Sequence, residues 1–175
     1  EYTPSLQQVQ PGSFAGAEAM PMKWYKFLIY VQLFLGALGG VINAVVYFTG
    51  THWENLGVPA LKTLAYGFFP SLHTVDMITG ICYVLMAVWY IVVRQSLVHY
   101  KKTAPRQLYS LRAFGALVSL FWSIAAFVIL SKVYDAAELA IALLVLPAIS
   151  AIIVLVFMSL EKVYFRKRQH LFIND

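Results

Sequence analysis

The chain has 175 residues, of which 61% are hydrophobic and only 12% charged, with a formal net charge of +5. Soluble domains carry about a quarter charged residues, so this composition excludes a water-soluble fold and leaves no room for a separate soluble catalytic domain. One cysteine, Cys82, excludes an intrachain disulfide and a cysteine zinc cluster within the sequence.

Residues 1–22 combine Pro, Gly and Gln without apolar periodicity, the composition of a flexible leader. Glu1 stands where an initiator Met would, so an upstream segment is expected. Lys23, Trp24, Tyr25 and Lys26 then suit a headgroup layer, and an uncharged run over 27–48 follows. As a helix that run is about 33 Å long, enough to cross a bilayer core. It is too long for a signal peptide and is expected to be retained. Gly36, Gly40 and Ala44 recur every four residues, so they share a face that admits a close neighbour, with Asn43 beside them to hydrogen-bond another helix.

The long connection over 49–75 is aromatic and leucine-rich, which predicts a structured outer cap. Pro59 would open a short interfacial helix there, ended by Gly67 and Pro70. A second span is expected over 76–93, with Ser71 or Thr74 as its cap and Asp76 in its first turn, favoured by the helix dipole. Arg94 to Arg112 reads as a basic loop interrupted by Pro105. The third span, 113–131, carries Gly115, Ser119 and Ser123 as a second small stripe, suited to receive the glycines of the first. A link over 132–138 makes the third and fourth spans antiparallel neighbours. The fourth, 139–160, contains Pro147, which should kink it by crowding the carbonyl of Leu143.

These elements predict an all-α integral membrane four-helix bundle over 23–165, followed by a basic tail over 166–175. Eleven of the thirteen Lys and Arg residues fall on the N-terminal flank, the central loop and the C-terminal tail. The positive-inside rule therefore puts both termini in the cytoplasm of a cell-membrane protein and the cap outside. Lys101, Lys102, Arg106, Arg166, Lys167 and Arg168 are expected to meet anionic headgroups. No nucleic-acid motif accompanies them.

Polar residues that could carry chemistry gather on the outer side: His52, Glu54, His73 and Asp76. His73 and Asp76 are three apart and could share a helical face around a proton or a metal. Metal sites need three or four convergent ligands, however, and no metalloprotease motif, phosphate loop or nucleophile elbow is present. No metal or cofactor is therefore expected. The residues favour a non-catalytic membrane protein that acts through protein or lipid contacts, as a subunit or accessory partner of a membrane assembly or as a homo-oligomer. Two alternatives stay open: a channel or transporter formed by oligomerisation, with Asn43 and the third-span serines along a shared path, and a membrane-embedded enzyme using His52, His73 and Asp76.

At the entry to the first span, PMKWYKFLIY after a Pro/Gly/Gln-rich leader resembles a group of small, uncharacterised multi-pass membrane proteins of Gram-positive bacteria. Some of those carry a short zinc-ribbon ahead of a similar linker. This sequence has no cysteine before Cys82, so a zinc-ribbon could lie only upstream of Glu1. What the resemblance implies is a membrane localisation.

Overall fold

The computed structural model describes residues 23–54, 61–132, 141–172 and 174. The expected leader, Pro59 and most of the link between the third and fourth spans lie outside the described residues. Helix α1 spans Lys23–Thr49 and includes one π-helical turn at Leu28–Gln32, where the Leu33 amide reaches back to the Leu28 carbonyl. Short helices α2 (Thr51–Glu54) and α3 (Leu61–Phe68) follow. The long helices α4 (Pro70–Val98) and α5 (Ala104–Leu130) come next, then α6 (Leu146–Arg166), which is preceded by a π-helical turn at Ile141–Val145. Among the described residues there is no strand, only an isolated bridge between Lys101 and Asn174.

Four of these helices are long and apolar enough to cross a membrane. Their outward faces carry residues such as Phe34, Leu38, Val45, Leu85, Val88, Leu117 and Ile152, all exposed. In water such a surface would drive aggregation, whereas lipid tails match it. The helices pack in chain order, α1 on α4, α4 on α5 and α5 on α6.

Several boundaries differ from those read in the sequence, for local reasons. Pro70 does not end the preceding helix but begins α4, where its missing amide costs nothing. Phe69, in an extended conformation, makes the break, and neither Ser71 nor Thr74 caps the helix. Gly67 lies inside α3. Pro105 likewise opens α5 rather than interrupting a loop. The basic connection is therefore only the turn at 99–103, and Arg94, Arg106 and Arg112 stand on helix ends. Pro147 follows directly on the π-helical turn Ile141–Val145 and is the second residue of α6, where a missing amide costs little.

Two turns use left-handed backbone. Gly50 (φ 68°) terminates α1, and a Cβ there would lie 2.5 Å from the Tyr66 hydroxyl, so glycine both turns the chain and lets α3 approach. Tyr100 (φ 51°) closes α4, with the Lys101 amide on the Ser96 carbonyl and its own amide on that of Leu97. A non-glycine residue there costs about 1–2 kcal/mol. Its ring stacks on Tyr25 at 5.5 Å and packs against Phe172 at 6.0 Å, contacts that offset the strain.

The core is divided. One cluster, at the end where α1 begins, gathers Tyr25, Leu28, Leu33, Val93, Leu97, Leu108, Leu111, Phe165 and Phe172; a second, at the end where α1 finishes, gathers Trp53, Leu72, Ala126 and Leu130. Between them the helices touch through small residues. The Gly36, Gly40 and Ala44 stripe of α1 faces α4, not the third span: Gly40 lies against Ala87 and Gly36 under the Tyr90 ring. Gly115 of α5 faces Met86 of α4. Ser123 is buried but donates to the Ser119 carbonyl within its own helix. Asn43 does not reach another helix either; it is exposed and donates to the Gly39 carbonyl one turn back.

A Cβ on Gly40 would meet the Ala87 Cβ at 3.1 Å and its Cα at 3.2 Å, whereas one on Gly39 meets nothing within 4 Å. Gly40→Leu is expected to lower the thermal midpoint in detergent, with an overpacking cost of about 1–3 kcal/mol or more. Gly39→Leu should leave it unchanged, and equal effects of the two would show that this face of α1 is not the packed one.

Candidate functional site

Leu72, Asp76, Thr79 and Gly80 lie at helical spacing on the buried stripe of α4. Because α4 begins at Pro70, Asp76 is well inside the helix rather than in its first turn, and it is completely buried. Its dipole-cap role is thereby corrected: the carboxyl group points into the protein.

Four side chains from three other helices meet it. The Trp122 indole of α5 donates to Oδ1 at 2.6 Å. The Trp53 indole of α2 and the Tyr66 hydroxyl of α3 donate to Oδ2 at 3.0 and 2.7 Å. His52 Nε2 lies 3.3 Å from the same oxygen. An indole N–H can only donate, so both carboxyl oxygens act as acceptors. Burial, and then the hydrogen bond to Asp76, push the Tyr66 phenol above its ordinary value, which keeps it a donor. The His52 ring sits among aromatic rings, 4.8 Å from Tyr47, 5.0 Å from Trp53 and 5.7 Å from Trp122.

The other two members of the outer cluster do not join. Glu54 is exposed, and His73 is exposed with its ring edge-on to Tyr66 at 5.1 Å. Among the described residues no group of three or more His, Cys, Asp and Glu side chains is arranged to hold a metal ion. In their place stand Trp53 and Tyr66 of the aromatic connection after α1 and Trp122 of α5. One signal was available: a tryptophan buried at depth needs a partner for its N–H, and the nearest acid-bearing span supplies one.

A second buried acid lies at the opposite end. Glu161 of α6 is 2% exposed and receives Arg112 of α5 in a two-point contact, Nε to Oε2 at 2.8 Å and Nη2 to Oε1 at 2.5 Å. Arg112, expected at the end of a basic loop, is thus a buried-pair partner within α5. Around this end Lys101, Arg106, Arg166 and Lys167 are exposed, as is Lys102. Arg168 is not: it is buried with its guanidinium 3.9 Å above the Tyr164 ring, so it is no lipid-facing cation. The tail also returns to the protein, with the Lys102 amide on the Asn174 carbonyl and the Asn174 side chain on the His99 carbonyl.

No family model matches this sequence, and neither a curated protein nor a solved structure gives a significant match.

Chemically, the outer site is a buried carboxyl group saturated by donors, which ties α2, α3 and α5 to α4. Hydrogen bonds to a charged group contribute about 1.5–3 kcal/mol each, and removing the acceptor strands several buried donors together. Asp76→Asn presents an NH2 to donors and should cost about 2–4 kcal/mol, read as a lowered thermal midpoint in detergent. Tyr66→Phe should cost less, about 1–2 kcal/mol, and Glu54→Gln and His73→Gln should be silent. A loss on His73→Gln as large as that on Asp76→Asn would overturn the assignment of the network.

Proposed function

We propose that this is a non-catalytic integral protein of the cell membrane, a four-helix bundle with both termini in the cytoplasm, which acts through contacts with lipid and with a membrane partner. The observation that carries this reading is that each of the two acids buried among the described residues is engaged by donors of its own chain. Asp76 meets Trp53, Tyr66, Trp122 and His52, and Glu161 meets Arg112. Such groups hold helices together and do not offer an open polar position to a substrate or ion. The activity is then left to surfaces: the apolar helix faces, the outer cap and the basic inner rim.

Charge supports the orientation. Lys23, Lys26, Lys101, Arg106, Arg166 and Lys167 are exposed at the end where α1 begins, α4 turns into α5 and α6 finishes. Anionic lipid on the cytoplasmic leaflet attracts each near-surface cation by about 1 kcal/mol. A second copy is the partner favoured by Asn43, an exposed amide in mid-helix beside the open Gly39.

Single cysteines in a Cys82→Ser background test the orientation. Lys167→Cys and Lys23→Cys should react with a membrane-impermeant maleimide only in inverted vesicles, and Glu54→Cys only in intact cells. The reverse pattern would overturn the orientation. For the activity, crosslinking in the membrane followed by mild-detergent purification should retain a protein partner, a second copy or bound lipid; a bare monomer would overturn the interaction reading.

A further inference from the structure

At the inner end, a cavity of about 700 Å³ opens between the start of α5, the end of α6 and the returning tail. Arg106, Lys162 and Arg166 line it, over a floor that includes Tyr109, Phe165 and Phe172. The three cations are exposed, and none makes a hydrogen bond or ion pair with another described residue. Lys102 lines the same cavity but is already engaged within the protein. Among the described residues that line it there is no acid; the nearby Glu161 is consumed by Arg112.

A second, narrower recess of about 300 Å³ adjoins it, sharing Tyr109 and Lys162 and lined further along α6 by Leu155, Met158 and Ser159. Leu155, Met158, Lys162 and Arg166 follow helical spacing, so one face of α6 changes from apolar to basic within three turns, about 16 Å. Tyr109 and Lys162 stand where the two characters meet.

We propose that this face is a binding site for one anionic phospholipid, with its headgroup phosphate among Arg106, Lys162 and Arg166 and one acyl chain along Leu155 and Met158. Guanidinium groups suit phosphate oxygens geometrically, and three cations gathered at one rim repel one another unless an anion or water satisfies them. The apolar recess selects lipid over free phosphate, because only a lipid fills both halves. A zwitterionic headgroup is disfavoured, since its ammonium would face the same three cations. This inference rests on the reading that the basic face meets anionic lipid, and makes it a specific site instead of diffuse adhesion.

The test is native mass spectrometry of the full chain in mild non-ionic detergent, with added dioleoylphosphatidylglycerol, dioleoylphosphatidylcholine or glycerol 3-phosphate. The wild type should retain one phosphatidylglycerol per chain and should not retain phosphatidylcholine, and equimolar glycerol 3-phosphate should not compete. Arg106→Gln, Lys162→Gln and Arg166→Gln combined should weaken retention by at least about tenfold. Lys23→Gln with Lys26→Gln, equal in kind but away from the cavity, should change nothing. Met158→Trp, which fills the recess without touching charge, should also weaken retention, and serves if the triple variant fails to fold. Equal losses in the triple variant and the Lys23/Lys26 pair would overturn the site while leaving general adhesion standing. Displacement by glycerol 3-phosphate would overturn the lipid in favour of a phosphate site. Retention by none of the forms would overturn the site and the lipid-contact reading together.

Discussion

The carboxyl group of Asp76 is the constraint on which the half of the protein around α2 and α3 depends. A buried carboxylate without partners is prohibitively costly in a low-dielectric interior, so its position on α4 is tenable only if donors are delivered to it. They come from Trp53 on α2, Tyr66 on α3 and Trp122 on α5, with His52 Nε2 of α2 lying 3.3 Å from the same carboxyl group. The short helices after α1 are thereby drawn over the end of α4, and Gly50 supplies the turn that allows it. Polar contacts thus hold the cap beside a hydrophobic cluster whose buried members among the described residues are Trp53, Leu72, Ala126 and Leu130.

The inner end is held differently. There the aromatic and leucine cluster is large, and Tyr25 of α1 donates from its hydroxyl to the Leu97 carbonyl at the last turn of α4. Helix α6 contributes least to the core, since its apolar window is unburied within the chain. Its Glu161 and Phe165 are the buried exceptions, and Arg112 fixes the first of them to α5. Between the two ends, Gly40 against Ala87 and Gly115 near Met86 bring backbones close, the packing expected where lipid removes any hydrophobic driving force between helices.

Different residues were legible to different degrees. The glycine stripe of α1 was recognisable as a contact face because period and size are local properties, but its partner was not: sequence similarity of stripes suggested α5, and the structure pairs it with α4. Asn43 was expected to bond across helices and instead satisfies itself on Gly39, because one turn of the same helix always offers a carbonyl. Asp76 was misjudged through a boundary error. A helix begun near Asp76 puts it in the first turn, where the dipole favours it, whereas beginning at Pro70 turns the same residue inward. Arg168 was counted with its basic neighbours, yet the 3₁₀ turn Gln169–Leu171 and the docking of Phe172 fold it over Tyr164.

The sequence by itself determined that the chain is helical and that four of its helices are long and apolar enough to cross a membrane. That follows because hydropathy and length add up residue by residue, and 61% hydrophobic content leaves few other solvents than lipid. Only the tertiary structure decided which polar groups meet. His52, Trp53, Tyr66, Asp76 and Trp122 come from four helices, and no local period relates them. Their convergence is a property of how α4 rotates against its neighbours, which burial of Asp76 enforces and a linear pattern does not record.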